Sequence, residues 1–156
     1  MSASADVRRG ALDAIDRYVN SEPTGHHVLQ RTVDLLYDTF EHYSWIGIYL
    51  VEGDDLVLAA WQGPEPTEHV TIPIGEGICG SAAASGKTEV VDDVGADQRY
   101  LACFASTKSE IVVPITFGGD VVGEIDIDSD TPSAFGDDDQ AFLEHVARMV
   151  SSRSRD

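Results

Sequence analysis

The alternation of aliphatic and acidic residues in the last third of the chain constrains the fold more than any other feature. Two strand-like segments, 109–117 and 121–129, flank a glycine-rich turn and predict a β-hairpin. A two-residue turn would set Ile111 on the face of Asp126, whereas a three-residue turn would set it on the face of Ile127. Because a buried face selects register strongly, we predict the three-residue turn.

This register gathers three carboxylates in one place. Glu110 falls opposite Asp128, on the face that also carries Asp126. A solvated strand face in an acidic protein would look similar, but the aliphatic residues between the acids favour a central hairpin. A covered cleft raises the pKa of clustered carboxyls, so one of them can retain a proton near neutral pH and act as a general acid. Ionised members of the cluster would attract an ammonium group.

Helical periodicity at both ends encloses a run of strands. We predict long helices at 6–19, 24–42 and 137–150, a short helix at 79–85, and further strands at 44–51, 56–62, 70–74 and 89–91. This order predicts one α+β domain over residues 1–156 with a mostly antiparallel sheet. The connection 92–108 has no clear periodicity, and loops of that length in compact domains are usually functional.

The charge balance excludes several classes of partner. The chain has 28 acidic and 10 basic residues, a formal charge of −18. The negative electrostatic field of such a protein repels nucleic acids and anionic membranes. Concentrated salt screens the repulsion among the carboxylates, so we expect a halophilic source. No apolar run approaches the roughly 20 residues of a membrane span, and residues 1–9 lack a signal-like apolar segment. We therefore expect a soluble, cytoplasmic protein.

The chain has two cysteines, Cys79 and Cys103. Cys79 lies near the start of the short helix, where the helix dipole favours a thiolate, but its position among glycines and alanines favours a small buried residue. Cys103 lies in the long loop and is either reactive or inert. Two thiols suffice for a thiol–disulfide cycle. No C-x-x-C or H-x-x-x-H pair is present, so we expect no metal.

Three aromatic residues precede these motifs in the first predicted hairpin. Trp45, Tyr49 and Trp61 are near neighbours there. Core packing is the default role of such residues, but any of them can wall a small pocket, and an aromatic wall suits a thioether-like sulfur.

Four strings together resemble a known family. They are YSWIGIYL, IPIGEGICGSA, YLACFASTKSEIVVPI and GEIDIDS, in that order. The chain resembles the GAF domain over nearly its whole length, and specifically the GAF-fold free methionine-(R)-sulfoxide reductases. The resemblance implies a central sheet with the N- and C-terminal helices on one face and a ligand pocket on the other. It also implies reduction of free L-methionine-(R)-sulfoxide, no bound cofactor and a thioredoxin-like protein as electron donor.

The resemblance assigns roles to the candidate residues. Cys103 matches the catalytic cysteine, and Cys79 matches the cysteine of the glycine-rich motif. The family's substrate-binding and proton-donating carboxylates match Glu110, Asp126 and Asp128. Its pocket aromatics match Trp45, Tyr49 and Trp61.

The chain departs from the family at one position. Many members carry a further cysteine, the resolving thiol, just before the IPIG segment, where the nearest match here is His69. Either Cys79 or an external thiol must then resolve the sulfenic acid. The main alternative function is a non-catalytic GAF module that binds a small ligand for sensing. The terminal helices are also candidates for pairing two copies in a homodimer.

Overall fold

A computed structural model describes residues 5–101 and 104–156. Its helices and strands, in chain order, are α1 Ala5–Ser21, α2 Gly25–Thr39, β1 Trp45–Glu52, β2 Asp55–Gln62, β3 Thr71–Pro73, α3 Gly77–Ser85, β4 Glu89–Val91, β5 Ser109–Phe117, β6 Asp120–Ser129 and α4 Asp137–Val150. Two short 3₁₀ turns lie at Val94–Ala96, after β4, and at Ser151–Arg153, after α4. None of these helices is long and apolar enough to cross a membrane.

The strands form one six-stranded sheet in the order β3-β2-β1-β6-β5-β4. Every neighbouring pair is antiparallel. The three longest-paired strands, β1, β6 and β5, lie at the centre of the sheet. The α+β architecture predicted from the sequence is therefore confirmed.

The turn between β5 and β6 differs from the prediction. Phe117 pairs with Asp120, so the turn has two residues and the predicted three-residue turn is wrong. Gly118 has a φ of +62° and Gly119 a φ of +88°. Positive φ at both central positions gives a turn whose twist matches that of the flanking strands, and glycine adopts it without a steric penalty.

A bulge then restores the register that burial requires. The pairing shifts between Ile115 and Thr116, which leaves Val122 as an extra residue in β6. Beyond this bulge Ile111 pairs with Ile127, and Glu110 pairs with Asp128. The predicted separation of aliphatic and acidic faces is thus confirmed, although a bulge rather than a longer turn produces it.

The terminal helices cover one face of the sheet. Residues of α1, α2 and α4 pack with alternate residues of the central strands in the larger hydrophobic core. The strand residues of this core are Ile46, Ile48, Ile111, Val113, Ile115, Ile125 and Ile127. The strand side chains in this core are all aliphatic.

Local sequence sets the start of α2, and packing sets its end. Thr24 caps the helix as predicted, because its side chain accepts a hydrogen bond from the backbone N–H of His27. The helix ends at Thr39 rather than near residue 42. Phe40 and Tyr43 are both buried, with ring centroids 4.9 Å apart, so the chain must turn there to place both rings in the core.

The short helix α3 covers the opposite face. Gly86 ends it in the left-handed conformation, as the sequence predicts. Its buried residues Ile78, Cys79 and Ala82 pack with Tyr49 of β1 in a second, smaller core. The functional side chains lie in and beside this second core.

Candidate active site

The register of β5 and β6 brings the predicted carboxylates together. Glu110, Asp126 and Asp128, the acidic cluster from here on, are 5%, 4% and 3% exposed. They lie on the face covered by α3, away from the terminal helices. None of the lysine and arginine side chains in residues 5–101 and 104–156 is buried with them.

Burial without a cation changes the protonation of the acidic cluster. Desolvation raises the pKa of Glu110 well above its usual value, and the charges of Asp126 and Asp128 raise it further. Desolvation and the charge of Asp126 act in the same way on the pKa of Asp128. Like charges this close in a dry site disfavour ionisation of all three carboxyls. The direction of these pKa shifts agrees with the expectation from sequence, and the role of general acid stays a prediction.

A cavity of 20 Å³, the first cavity, lies between the acidic cluster and α3. Its polar lining comes from Tyr49, His69, Cys79, Glu110 and Asp126. Three aliphatic side chains complete the wall. A thiol and two carboxyls therefore line one cavity, with His69 beside them.

Cys79 enters this cavity from α3 as a buried thiol. Its side chain is 7% exposed. Desolvation raises its pKa well above the usual value, followed by the charges of Asp126, Glu124 and Glu110. Of the two interpretations open at the sequence level, the structure supports the small buried residue, because burial and carboxylates outweigh the helix dipole. The Cys79 thiol is therefore harder to ionise than an ordinary cysteine thiol.

Trp45 and Asp128 border a second cavity, of 30 Å³. The indole of Trp45 lies across Gly47, where an added Cβ would be 2.4 Å from its Cη2 atom. Glycine at position 47 is thus needed to seat the ring. The Trp45 Nε1 donor and the Asp128 Oδ1 acceptor are buried without hydrogen-bond partners among the described residues. An uncompensated donor and acceptor beside a cavity are what a polar ligand would satisfy.

The other two aromatic candidates differ in their roles. The hydroxyl of Tyr49 donates a hydrogen bond of 2.7 Å to the carbonyl oxygen of His69 and so fixes the segment that precedes β3. Trp61 lines neither cavity. It stacks on Trp45 at a centroid distance of 6.4 Å and an interplanar angle of 14°. Trp61 therefore contacts the second cavity only through Trp45, and its predicted part in the substrate pocket stays a prediction.

Cys103 lies outside the described residues. The side chains on either side of it in sequence reach both cavities. Leu101 lines the first cavity and packs on Gly77, where an added Cβ would be 2.8 Å from its Cδ1 atom. Phe104 lines the second cavity and lies 5.8 Å from Trp45 between ring centroids.

Two residues of this region lie outside the predicted set of site residues. His69, which matches the absent cysteine of the family, lines the first cavity. Glu124, which alternates with Asp126 and Asp128 along the strand, is fully buried, and its carboxyl interacts with the Cys79 thiol. Its alternation with Asp126 in β6 was the available signal. In an acidic sequence that signal does not distinguish a buried carboxyl from a surface one.

Comparison with known proteins places this arrangement in a family. The model of the GAF domain matches residues 24–153. The chain belongs to the GAF-domain family. This GAF protein is 41% identical over 118 residues to Protein YtsP of Bacillus subtilis, covering 74% of the chain and 71% of that protein. It is 37% identical over 122 residues to the free methionine-R-sulfoxide reductase of Escherichia coli, covering 78% and 73%.

A solved structure gives the same assignment. The free methionine-R-sulfoxide reductase of Neisseria meningitidis, determined in complex with its substrate, superposes with a TM-score of 0.89 at 36% identity. The match covers 99% of this chain and 93% of that one. Within the GAF-domain family, the chain therefore belongs to the free methionine-R-sulfoxide reductases.

Proposed function

We propose that this GAF protein reduces free L-methionine-(R)-sulfoxide to methionine, with Cys103 as the nucleophile. The observation that carries the proposal is the buried acidic cluster, whose carboxyl pKa values are raised by burial and which lines a cavity shared with a thiol. A buried carboxyl cluster without a cation destabilises the folded protein, so a purely structural role does not account for it. Its chemistry matches a reaction in which an oxygen atom must be protonated as its bond to sulfur breaks.

The same carboxyls account for selection of the free amino acid. Members of the acidic cluster that ionise attract the substrate's ammonium group, which a peptide-bound methionine sulfoxide lacks. A residue within a peptide would leave buried carboxylates unpaired, and that penalty supports discrimination. Tyr49 and Trp45 supply the aromatic surface for the sulfur-bearing end of the substrate.

The reduction step transfers one oxygen atom. The Cys103 thiolate attacks the sulfoxide sulfur while a carboxyl of the acidic cluster protonates the oxygen, since an unprotonated oxide is a poor leaving group. A sulfur–sulfur bond forms between Cys103 and the substrate, the sulfur–oxygen bond breaks, and the oxygen leaves as water. A water molecule then attacks the Cys103 Sγ atom, the sulfur–sulfur bond breaks, methionine departs, and Cys103 is left as a sulfenic acid. Two electrons have passed from the cysteine to the substrate sulfur.

Recycling then consumes the sulfenic acid. The Cys79 thiol condenses with it, one water molecule is released, and a Cys79–Cys103 disulfide forms. A thioredoxin-like dithiol reduces this disulfide and is itself oxidised. His69 stands where many relatives carry the resolving cysteine, so Cys79 is the internal thiol left for this step.

Methionine release tests the function. Reduced protein with a dithiol donor should release methionine from the free (R) epimer and not from the (S) epimer or a peptide-bound residue. Cys103→Ser should abolish release and retain affinity for the (R) epimer. Binding of the (R) epimer without any methionine release by the unchanged protein would contradict the proposal and support a sensing module.

A further inference from the structure

We propose that Cys79, Glu110 and Asp126, with His69 on the wall of the same cavity, form a binding site for Zn²⁺, and that zinc there inhibits the enzyme reversibly. Zinc would lie in the first cavity, bridging α3 to the neighbouring strands β5 and β6. Inhibition rests on the proposed reductase function, whereas metal binding does not.

The geometry of three of the donors supports the site. The ligand atoms of Cys79, Glu110 and Asp126 all lie within 4.8 Å of one another, and all three side chains are buried. Zinc bonds of about 2.0–2.3 Å in a tetrahedral site separate the ligand atoms by roughly 3.3–3.8 Å. Small side-chain rotations toward the cavity centre would close the remaining gap.

The types of donor also favour zinc. The three grouped donors are a thiol and two carboxyls, and His69, which lines the same cavity, offers an imidazole as a fourth donor after rotation of its side chain. Sulfur and nitrogen donors beside carboxylate oxygens select zinc over magnesium and calcium, which prefer oxygen alone.

A separate observation points to a ligand in this place. The Oδ1 atom of Asp126 is buried and accepts no hydrogen bond from the described residues, although the side chain lines the cavity. A buried carboxylate oxygen without a donor is costly unless something positive approaches it. No lysine or arginine in the described residues is buried there to serve. A divalent cation supplies the missing positive charge.

Zinc binding has a predictable effect on the reaction. The cation would replace protons on Cys79, Glu110 and Asp126, so binding should release protons and tighten as pH rises. It would occupy the space between Cys79 and the acidic cluster and hold the resolving thiol as a metal-bound thiolate. Substrate and zinc should then exclude each other.

Cobalt provides the direct test, because a thiolate bound to Co²⁺ gives a charge-transfer absorption band. The full chain carrying Cys103→Ser, kept reduced with a phosphine, isolates the site from the other cysteine. We expect one equivalent of Co²⁺ to give the band, and one equivalent of Zn²⁺ to abolish it with release of protons.

Variants locate the site. In the same background Cys79→Ser should remove the band and weaken zinc binding by more than about 100-fold, and Asp126→Asn should weaken it by about 10-fold or more. Asp126→Asn keeps the side-chain shape and serves if Cys79→Ser fails to fold. His69→Gln should weaken binding, whereas His26→Gln, at an exposed histidine of α2, should leave it unchanged. No saturable binding, or affinity unchanged in Cys79→Ser and Asp126→Asn, would overturn the site.

The unchanged protein separates the two proposals. Zinc should inhibit methionine release competitively with the sulfoxide, and a chelator should restore the full rate. A cobalt band in a protein without reductase activity would support the metal site and contradict the proposed function. Full activity with no cobalt band and no zinc inhibition would support the proposed function and contradict the metal site.

Discussion

The two faces of the central strands bury opposite kinds of side chain. Toward the terminal helices, alternate residues such as Ile111, Ile125 and Ile127 form the aliphatic core. On the other face the intervening residues include Glu110 and Asp126, buried with their pKa values raised by desolvation. Because successive residues of a strand point to opposite faces, one register sets both arrangements.

The difference shows how the fold separates stability from chemistry. Burial of aliphatic surface provides the main favourable term in folding. Buried carboxyls without cations oppose folding, and they persist where function needs them. Burial of the aliphatic core beneath the terminal helices thus offsets the free-energy cost of the carboxyls buried beneath α3. The predictions below change one face at a time.

The largest effect is expected from the acidic cluster. Glu110→Gln should lower kcat/KM for free methionine-(R)-sulfoxide by roughly 10²–10⁴-fold, because it removes a carboxyl that can donate a proton to the leaving oxygen. Its free energy of unfolding at pH 8 should not fall. The matched substitution Glu144→Gln, on α4, should leave the rate within a few-fold. A rate unchanged by Glu110→Gln would remove Glu110 from the active site.

The aliphatic face should respond in the opposite sense. Leu143 of α4 is fully buried against the sheet, and Leu143→Ala should lower the free energy of unfolding by about 2–5 kcal/mol. The kcat/KM per folded molecule should change little. Leu143→Met, which nearly conserves volume, should cost less than about 1.5 kcal/mol. A loss of activity in Leu143→Ala larger than the loss of folded protein would contradict the separation of the two faces.

A smaller effect concerns pH. Carboxyls whose pKa is raised in the folded protein bind protons that the unfolded chain has already lost, so stability falls as pH rises through the folded pKa. The parent protein should therefore lose stability between pH 5 and pH 8 relative to Glu110→Gln. Urea unfolding at the two pH values measures this. Equal slopes for the two proteins would show that Glu110 is ionised in the native state.

The smallest effect distinguishes exposed from buried acids. The formal charge is −18, and salt screens exposed carboxylates more than buried ones. The thermal midpoint should rise from 0.1 to 1 M NaCl, as the Debye length falls from about 10 to about 3 Å. The relative effect of Glu110→Gln on stability should persist at both salt concentrations. Full folding in dilute buffer, with no gain in added salt, would count against the halophilic expectation.

The sequence predicts the pattern of faces better than the way the chain achieves it. The pairing of Ile111 with Ile127 follows from burial, and the prediction is confirmed. The turn length was wrong because Gly118 and Gly119 form a two-residue turn, and Val122 absorbs the extra residue as a bulge. Periodicity shows which face is buried, but one sequence carries no signal for where a bulge lies.

The site was predictable in its strand residues and not in its loop residues. Glu110, Asp126 and Asp128 share a face because of strand geometry, which alternation reveals. His69 reaches the first cavity from the segment before β3, where no periodicity indicates direction. Trp61 has the same composition signal as Trp45 but lies behind it, and only the packing distinguishes the two.

A count of thiols during a single turnover tests the central claim most directly. Reduced protein in high salt would receive pure L-methionine-(R)-sulfoxide, with the (S) epimer as control and no external reductant. The account predicts that the (R) epimer alone removes two thiols, Cys79 and Cys103, and releases one equivalent of methionine. Loss of one thiol with methionine release would keep the reductase and exclude Cys79 as the resolving thiol. No loss with either epimer would contradict the account.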